Sequence, residues 1–548
     1  MSYVITQNCC NDAACADVCP VGCIHPSPGE PGYASTEMLY IDPVRCIDCG
    51  ACAEACPVDA VYSADALPDR MRRYEEINAD YYRATPRVSL PLSVAPPRTF
   101  ERTANSLRVA IVGAGPSGFY AAEQLIEAGA EVSMFDRLST PFGLVRAGVA
   151  PDHTHTKNVT DQFRWTAARR EFNTFYNVEV GTHLSHHDLL QYHHAVLYSV
   201  GALQDRRLGI VGEDLPGSHA AAEFVAWYNG HPDYADRRFD LSHRRAIIIG
   251  NGNVALDIAR VLLLPVDELA RTDIADHALK ALADNNIEEV VVLGRRGSSH
   301  AAFTTPELLA FAHLDDIDVF VEDGAAQDAI VRGFSTQLKT KVLAELSAAP
   351  RGNAKRLVLR FLASPIEVVG DEQVTGLRVT RNTMIDGRAE PSGESDLLDA
   401  GLVLRAVGFR GRAINGVPFN EQVGTIPNDH GRVIGPDGEP VPGVYTAGWI
   451  KRGPSGVIGT NKTCAAETVA HLLEDFSNGN LADPLGSADD LTTFVSTRRC
   501  EYVDRRTWQR IDEHERAAGR AAGRPAIKLT DTAAISRIAV LPTSADPA

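Results

Sequence analysis

The sequence predicts an α/β protein with two nucleotide-binding sheets and a small cysteine-rich domain in front of them. Two observations predict the sheets: a strand, a glycine-rich turn and a helix follow one another from Leu107, and the same unit returns from Arg245. A third observation predicts the small domain, because nine of the eleven cysteines lie within the first 56 residues. We therefore expect two Rossmann-like dinucleotide-binding domains behind a small α+β metal-binding module.

Length and composition narrow the class of protein further. A chain of 548 residues with 44% hydrophobic and 23% charged residues is typical of a multidomain globular protein. Its net charge of −18 argues against a nucleic-acid partner. No run of eighteen apolar residues occurs, so we expect no membrane span, and the first residues lack the basic and apolar stretches of an export signal. These features predict a cytoplasmic protein whose cysteines bind metal rather than form disulfides.

The second half of the cysteine cluster carries a specific motif. Cys46-x2-Cys49-x2-Cys52-x3-Cys56 is followed by a proline, which is the spacing of bacterial ferredoxins. In that arrangement the first three cysteines bind one cluster together with a remote cysteine, and the fourth binds the other cluster. The best remote match is Cys19, which also precedes a proline. The motif therefore predicts one [4Fe-4S] cluster held by Cys46, Cys49, Cys52 and Cys19.

The first half of the cysteine cluster is irregular, because it has no cysteine at the usual middle position. Cys9, Cys15 and Cys56 remain for a second cluster. Residues 3–62 resemble the seven-iron bacterial ferredoxins, and that resemblance implies a three-ligand [3Fe-4S] site. Cys10 is an alternative fourth ligand, which would make the second cluster [4Fe-4S], and both possibilities stay open at this point.

The first glycine-rich turn is predicted to hold a dinucleotide. Gly113-x-Gly115-x2-Gly118 follows a strand and opens a helix, so its backbone N–H groups can approach a pyrophosphate closely. The next strand ends in Asp136, 23 residues after Gly113. A carboxylate at that position is suited to accept hydrogen bonds from ribose hydroxyls.

The second glycine-rich turn, at 250–255, has alanine in its third glycine position. The strand that follows ends in Arg295 and Arg296 rather than in an acid, and two guanidinium groups there favour the 2′-phosphate of NADP over NAD. The arginines lie 45 residues after Gly250, compared with the usual ~20, and an inserted segment over 265–287 accounts for the difference.

Several further segments carry a family resemblance: 142-FGLVRAGVAPDHTHTKNV-159, 250-GNGNVALDIAR-260, 294-GRRG-297 and 448-GWIKRGPSGVIGTNK-462. Together they resemble the adrenodoxin reductase family of ferredoxin–NADP reductases over residues 107–530. With the cysteine module added, the whole chain resembles the mycobacterial-type fusion of a ferredoxin to such a reductase. The resemblance implies hydride transfer between NADPH and FAD. Single electrons then pass between FAD and iron–sulfur clusters, either the chain's own or those of an external ferredoxin, or to another acceptor such as a cytochrome.

The same resemblance implies a set of site residues beyond those that the motifs indicate. For FAD the complete set is Gly113, Ala114, Gly115, Gly118, Asp136, Leu144, Val180, Trp449, Gly456, Val457 and Ile458. For NADP it is Arg206, Asn251, Gly252, Asn253, Val254, Arg295, Arg296 and Glu307. Asp152 and His153 are the candidate catalytic pair, for proton transfer or for ordering the groups near the flavin. The chain departs from the family at Asp136, where glutamate is more frequent, and at Ala310, where relatives commonly carry an acid.

These expectations divide the chain into five segments. Residues 1–62 form the ferredoxin domain, 63–105 a proline-containing linker, 106–205 the first part of the FAD domain, 206–400 the NADP domain and 401–548 the second part of the FAD domain with a helical C-terminal segment. An electron-input subunit of a larger NADPH-dependent synthase or dehydrogenase is the alternative function. A disulfide reductase is disfavoured, because residues 107–548 contain only the isolated cysteines Cys464 and Cys500.

Overall fold

A computed structural model describes residues 2–85, 106–322, 333–349, 352 and 354–540. The strands, numbered in chain order, are β1 (Tyr3–Ile5), β2 (Ile24–His25), β3 (Tyr40–Ile41), β4 (Val61–Ser63), β5 (Arg108–Val112), β6 (Glu131–Asp136), β7 (Phe172–Tyr176), β8 (Ala195–Tyr198), β9 (Gln204–Asp205), β10 (Ser218–Ala220), β11 (Arg245–Ile249), β12 (Glu289–Leu293), β13 (Ile317–Glu322), β14 (Lys355–Arg360), β15 (Ala363–Val369), β16 (Gly376–Ile385), β17 (Arg388–Asp399), β18 (Leu402–Arg405), β19 (Phe409–Arg410), β20 (Asn428–Asp429), β21 (Arg432–Ile434) and β22 (Pro440–Thr446).

The helices, numbered in the same way, are α1 (Ala14–Asp17), α2 (Ala51–Glu54), α3 (Arg73–Ala84), α4 (Pro116–Glu127), α5 (Leu144–Ala147), α6 (Thr154–Lys157), α7 (Val159–Ala167), α8 (His186–Tyr192), α9 (Ala221–Tyr228), α10 (Asn253–Leu263), α11 (Val266–Leu269), α12 (Asp276–Ala283), α13 (Thr305–Phe311), α14 (Phe334–Ala348), α15 (Trp449–Arg452), α16 (Thr460–Ser477), α17 (Ala488–Arg498), α18 (Arg505–Ala521) and α19 (Thr532–Val540). None of the helices in the described part of the chain is long and apolar enough to cross a membrane.

The N-terminal module is built from two short antiparallel strand pairs, β1 with β4 and β2 with β3. The two short helices α1 and α2 lie next to each other and carry cysteines of the two halves of the cysteine cluster. Its small core includes Val4, Ile24 and Leu39, each no more than 2% exposed. Such a core is too small to stabilise the module by itself, so its other contacts matter.

The structure differs from the predicted linker over 63–105, because the beginning of that segment is folded. Helix α3 packs on the module through Asn78, whose amide accepts the N–H groups of Ile5 and Ile41 at 3.3 and 2.8 Å. Asn78 Nδ2 also donates to the carbonyl of Ile5 at 2.9 Å. A buried amide with these partners joins helix and strands into one unit. Residues 86–105, which contain four of the five prolines of the predicted linker, lie outside the described residues.

The first dinucleotide-binding domain has a seven-stranded sheet in the order β20-β21-β22-β8-β5-β6-β7. Strands β22, β8, β5, β6 and β7 run parallel, and β20 and β21 add an antiparallel edge. Val109, Ala110 and Ile111 in β5 are fully buried, as expected for a strand with helices on both faces of its sheet. Helix α16 packs against α4, so the C-terminal part of the chain completes this domain.

The second dinucleotide-binding domain has a six-stranded sheet in the order β10-β18-β11-β12-β14-β13, and all of its pairs are parallel. A three-stranded antiparallel sheet, β15-β16-β17, is inserted before β18. The two dinucleotide-binding domains are joined by the antiparallel pair β9 and β19. The predicted boundary at residue 400 therefore falls too early, since β18 still pairs with β11 in the second sheet.

Candidate active site

The first glycine-rich turn joins β5 to α4 and has the geometry that its glycines predict. Gly113 has φ +107°, and a Cβ there would lie 2.5 Å from the carbonyl oxygen of Ser199. A Cβ on Gly118 would lie 2.2 Å from the carbonyl oxygen of Gly113. Gly115, by contrast, faces open space, because no atom lies within 4 Å of a Cβ built there. The turn is thus tight against its own domain and open on the side where a pyrophosphate would approach.

Two distant segments meet this turn. A Cβ on Gly143, just before α5, would lie 2.9 Å from the Cα of Gly115. A Cβ on Gly448, just before α15, would lie 2.8 Å from the Cβ of Ser117 in the first turn of α4. The segments 142–144 and 448–458, which only the family resemblance linked to FAD, therefore flank the glycine turn in space.

Buried polar atoms at this meeting point have no partner among the described residues. They are the hydroxyl of Ser117 and the Nε and Nη1 atoms of Arg452. Buried hydrogen-bonding groups are normally satisfied, so unpaired ones indicate a bound group that accepts hydrogen bonds. A flavin dinucleotide, with its pyrophosphate and carbonyl oxygens, fits this requirement. Sequence reasoning did not single out Ser117 or Arg452 individually, although both lie within motifs that it quoted.

Asp136 lies at the end of β6, as predicted, with its side chain directed at the glycine turn. Its Oδ2 accepts the N–H of Ala114 and its Oδ1 accepts the N–H of Leu138, each at 2.8 Å. Burial raises the pKa of this carboxyl, and the two backbone donors oppose the increase. Each carboxylate oxygen can accept more than one hydrogen bond, so ribose hydroxyls can still be recognised here.

The other predicted FAD residues surround the turn less directly. Leu144 begins α5, and Trp449 begins α15 with its ring stacked near Phe409, at a centroid distance of 6.1 Å. The loop of Gly456, Val457 and Ile458 is braced by Asn461, whose Nδ2 donates to the carbonyls of Val457 and Ile458. Val180 is 8% exposed and belongs to the core beside β7 and β8.

The second glycine-rich turn joins β11 to α10 and repeats the geometry of the first. Gly250 has φ +113°, and a Cβ there would lie 2.3 Å from the carbonyl oxygen of Ala406, whereas Gly252 faces open space. The turn is tied to the segment before α13: the N–H of Phe303 donates to the carbonyl of Asn251 at 2.8 Å, and the N–H of Thr304 donates to Oδ1 of Asn253 at 2.7 Å. Val254, in the first turn of α10, is half-buried.

Arg295 and Arg296 follow β12 at the end of the same sheet, and both are exposed. Within the described part of the chain, no ion pair is found for either guanidinium, so both are available to a phosphate. Arg206 lies at the domain junction, where its Nε donates to the carbonyl of Phe409 at 3.2 Å. Its neighbour Arg207 is instead paired with Asp214.

The predicted catalytic pair belongs to a charged cluster between the two domains. Arg260 in α10 is 3% exposed and contacts Asp152, His153, Asp257 and Glu307. The distances are 2.7 Å from Nη2 to Asp257 and 3.4 Å from Nη1 to Glu307. The Nε2 atom of His153 lies 3.7 Å from Asp257 and 3.6 Å from Glu307. The predicted catalytic pair, Asp152 and His153, thus lies next to Glu307, which was predicted for the NADP site.

Arg260 and Asp257 were not predicted as site residues. The signal was their spacing on α10, because residues three apart share a helix face and a buried arginine needs a nearby carboxylate. Burial alone would raise the pKa of Asp152, but Arg260 outweighs it and lowers that pKa. Burial raises the pKa of Asp257 to about 6, and the nearby Glu307 also raises it. Asp257 can therefore take up a proton as the pH falls to about 6, while Asp152 stays ionised.

The first predicted set of cluster ligands lies together. Cys19, Cys46, Cys49 and Cys52 line one small cavity, together with Tyr3 and Ile47. Cys23 is a fifth thiol in the lining of this cavity, with its Sγ 3.5 Å from that of Cys19. The four predicted ligands around one small space fit a cubane iron–sulfur cluster, whose iron atoms are bound by thiolates.

The second predicted set also lies together. Burial raises the pKa of the Cys15 thiol well above its ordinary value, and the nearby Cys9 and Cys56 thiols add to the increase. Thiols that bunch in a buried site ionise only when a cation compensates the charge, which an iron cluster does. Burial raises the pKa of the Cys10 thiol as well, and the nearby Asp12, Cys9 and Cys56 add to the increase. Cys10 belongs to the hydrophobic core of the first dinucleotide-binding domain, against which Cys9 and Cys56 also pack.

The N-terminal module is docked directly on the first dinucleotide-binding domain. The N–H of Gly459 donates to the carbonyl of Cys10 at 2.8 Å, and a Cβ on Gly459 would lie 2.1 Å from the nitrogen of Asp12. Asp59 accepts a hydrogen bond from Asn158 at 3.0 Å. The loop that follows the predicted FAD residues 456–458 is therefore in contact with the loop that carries the second set of cysteines.

Two dinucleotide turns in separate Rossmann-like domains, with a cysteine module docked beside the first, define a flavin- and nicotinamide-dependent oxidoreductase with an iron–sulfur centre. Residues 39–62 match the family model for a 4Fe-4S binding domain, and residues 106–197 match the model for an FAD binding domain. A Mycobacterium leprae (strain TN) protein named "Probable ferredoxin/ferredoxin--NADP reductase" is 47% identical over 551 residues, with 98% of each chain covered. The chain belongs to this family of ferredoxin/ferredoxin–NADP reductases.

The reductase part of the chain is similar to two other relatives. The structure of Mycobacterium tuberculosis FprA in complex with NADPH has a TM-score of 0.76 and 45% identity, covering 80% of this chain and 100% of the FprA chain. The mitochondrial NADPH:adrenodoxin oxidoreductase of Arabidopsis thaliana is 38% identical over 77% of this chain and 93% of its own length. The predicted resemblance, fold class and enzyme class are thereby confirmed: the chain is an NADP-dependent flavoprotein oxidoreductase that also has a 4Fe-4S binding domain.

Proposed function

We propose that this reductase delivers the electrons of NADPH to its own docked ferredoxin module and from there to an external one-electron acceptor. The observation that carries the proposal is the contact between Gly459 and the Cys10–Asp12 loop. Through this contact, the loop after the predicted flavin residues directly touches the loop that carries the module's second cysteine set. A free partner would have to find this position by diffusion, whereas the fused module occupies it permanently.

The chain's own residues have distinct roles in this proposal. When bound, NADPH supplies a hydride, FAD accepts it and releases single electrons, and iron–sulfur clusters take up one electron at a time. The amides of the turn at 113–118 and the side chains of Ser117 and Asp136 hold FAD. Asn251, Asn253, Arg295 and Arg296 hold NADP, with Arg206 near the domain junction. The cluster around Arg260 orients the two domains at their interface, and its Asp257 takes up a proton as the pH falls to about 6.

For the iron–sulfur centres we propose a [4Fe-4S] cluster on Cys19, Cys46, Cys49 and Cys52 and a [3Fe-4S] cluster on Cys9, Cys15 and Cys56. The spacing of the first half of the cysteine cluster supports a three-ligand second site, because it has no cysteine at the usual middle position.

The exposed end of the module suits an external acceptor. Cys49 is exposed, and Val44 and Ile47 beside it are 91% and 58% exposed. The only basic residue among residues 1–60 is Arg45, and it lies 3.7 Å from Asp42, so the surroundings are acidic. We propose an acceptor with a basic surface, such as a cytochrome.

The free cysteines of the chain suit a reducing compartment such as the cytoplasm.

The proposed function is tested by anaerobic titration of the full-length holoprotein with NADPH, followed by visible absorbance and EPR. We expect the flavin to be reduced, then both clusters, and an EPR signal in the oxidised protein from the [3Fe-4S] centre. Cys52→Ser should abolish the [4Fe-4S] signal and the reduction of added cytochrome but not the reduction of ferricyanide by the flavin. Cys500→Ser, at an exposed cysteine outside both sets, is the matched control. Clusters that stay oxidised while the flavin is reduced would contradict the proposal.

A further inference from the structure

We propose that Glu37 of the N-terminal module is a positioning residue for NADP binding. Its carboxylate reaches across to the second dinucleotide-binding domain and holds the segment 301–305, which in turn holds the glycine turn at 250–255. The inference rests on the proposed function in one respect, namely that this turn binds NADP. The ferredoxin module would then control how the reductase binds its nicotinamide substrate, in addition to receiving electrons.

The contact itself is direct and buried. The N–H of Thr305, at the start of α13, donates to Oε2 of Glu37 at 2.7 Å. The ammonium of Lys339 in α14 lies 3.0 Å from Oε1 of the same carboxylate. The side chains of Glu37 and Lys339 are only 12% and 8% exposed. A charge-assisted hydrogen bond and an ion pair shielded from water are far stronger than exposed ones, and removing one partner leaves the other charge uncompensated.

Both partners of Glu37 hold a segment that is hydrogen-bonded to the predicted NADP turn. Lys339 also donates to the carbonyl of Ala301 at 3.0 Å, so the carboxylate and the ammonium together hold both ends of 301–305. Between these ends, Phe303 and Thr304 donate their N–H groups to Asn251 and Asn253, as described above. Two hydrogen bonds therefore connect Glu37 to the side chain of Asn253, which is proposed to contact NADP: one from the N–H of Thr305 to Glu37 and one from the N–H of Thr304 to Asn253. Glu307, two residues after Thr305 on α13, belongs to the charged cluster around Arg260.

The same part of the module is also tied to the flavin side. The carbonyl of Thr36, beside Glu37, accepts a hydrogen bond from Nδ2 of Asn11 at 2.9 Å. Asn11 follows Cys10, whose carbonyl is bound by Gly459 in the FAD domain. A continuous chain of contacts thus runs from the flavin loop through the Cys10–Asp12 loop and Glu37 to the NADP turn. The module bridges both dinucleotide-binding domains and resists their movement relative to each other.

Two additional contacts keep the module in place on the second domain. Arg73 in α3 forms an ion pair with Glu345 in α14 at 2.7 Å. Phe334, at the start of α14, packs edge-on against the rings of Tyr40 and Tyr81, with centroid distances of 5.6 Å to each. These contacts anchor α14 independently of Glu37. Removing the Glu37 carboxylate should therefore disturb the segment 301–305 without releasing the module.

The test uses the full-length holoprotein and NADP+ as the probe. Glu37→Ala should weaken NADP+ binding, measured as a flavin difference spectrum, by roughly tenfold, because one charge-assisted hydrogen bond and the partner of a buried lysine are lost. KM for NADPH should rise more than kcat falls in the ferricyanide assay, which bypasses the clusters. Glu37→Gln should be intermediate, since its amide oxygen can still accept the Thr305 N–H but cannot neutralise Lys339.

The matched control is Glu54→Gln, at an exposed acid of the same module. Unchanged cluster absorbance in every variant shows that the module is still folded. If Glu37→Ala and Glu37→Gln both bind NADP+ as tightly as the wild type, the inference is wrong. That result differs from a failure of the proposed function, in which the wild type itself would bind no NADP+ or would leave its clusters oxidised.

Discussion

At the scale of single residues, a buried arginine lies at the centre of a charged cluster. Arg260 is enclosed by the carboxylates of Asp152, Asp257 and Glu307 and by His153, so a single guanidinium compensates several acids. Its position at the interface joins the FAD side, through Asp152 and His153, to the NADP side, through Glu307. Burial, and in addition the nearby Glu307, raises the pKa of Asp257. A change at Glu307 or Arg260 should therefore alter the protonation of Asp257.

We expect the specificity for NADP to depend on two single residues. Replacing Arg295 and Arg296 together by Ala should lower kcat/KM for NADPH by at least about a hundredfold, because about 1.5–3 kcal/mol is lost for each hydrogen bond to a charged group and each arginine supplies at least one. NADH, which lacks the 2′-phosphate, should be used as before. Steady-state kinetics with both nucleotides measure the effect, and Arg388→Ala, at the exposed start of β17, is the control. A retained preference for NADPH would refute the role of these arginines.

At the scale of elements, the important features are loops that close on each other. The β5–α4 turn, the segment before α5 and the segment 448–461 come from distant parts of the sequence but pack within van der Waals contact. Each contact point is a glycine, because a side chain would overlap the neighbouring backbone or side chain. Gly459 makes the same kind of close contact with the N-terminal module. At the predicted cofactor site and at the module interface, the loops can thus approach each other closely only because glycine has no side chain.

Gly459→Ala tests this interface at the element scale. The added Cβ would overlap the backbone of Asn11 and Asp12, and such overpacking costs about 1–3 kcal/mol. Docking of the cysteine loop should weaken, so the rate of cluster reduction should fall relative to the rate of flavin reduction, as measured by stopped-flow absorbance. The control is Gly352→Ala, where the nearest atom would lie at an ordinary 3.8 Å. An unchanged ratio of the two rates would mean that the contact is not needed for electron transfer.

On the scale of the whole molecule, the protein is a three-part assembly within one chain. The module contacts the FAD domain through Cys10 and Asp59 and the NADP domain through Glu37 and Arg73. A second junction lies between the FAD domain, the segment inserted after α10 and the C-terminal segment. There Asp273 is bound by Lys157 at 2.5 Å and by Lys528 at 2.9 Å, and all three side chains are nearly buried.

This junction should make the stability of the whole protein depend on acid pH. Burial alone would raise the pKa of Asp273, but Lys157 and Lys528 outweigh it and lower that pKa to about 2. Since the folded-state pKa is lower than the unfolded value of about 3.9, Asp273 stabilises the fold fully above that value, and the contribution is lost as the pH falls towards 2. Asp273→Asn should cost about 2–3 kcal/mol near pH 5, the amount that a shift from about 3.9 to about 2 implies, because it removes the negative charge that faces Lys157 and Lys528.

Thermal unfolding of wild type and Asp273→Asn across this pH range measures the effect. The two unfolding temperatures should differ most near pH 5, below the pKa of about 7 to which burial lowers Lys528, and should converge as the pH falls to about 2. Asp65→Asn, at an exposed acid, should follow the wild type throughout. Curves that stay parallel down to pH 2 would contradict the assigned role of the carboxylate.

The sequence by itself determined the fold class, the two dinucleotide turns and the grouping of cysteines into two sets. Each of these depends on local patterns, such as glycines at a strand–helix turn or thiols at fixed spacing, whose physical requirements hold wherever the segment lies. Asp136 at the end of β6 and the arginines after β12 could be located for the same reason. The extent of the linker could not, because Asn78 holds α3 through partners on β1 and β3.

Only the tertiary structure decided which distant residues meet. Arg260 follows from a helical spacing, but its contacts with Asp152 and Glu307 depend on how two domains pack. Glu37 and Gly459 carry no local signal at all, since an acid just before a buried strand and a glycine in a glycine-rich loop have many ordinary explanations. Their importance arises from burial and close approach across a module interface. Those quantities depend on the relative placement of whole domains, which no single stretch of sequence encodes.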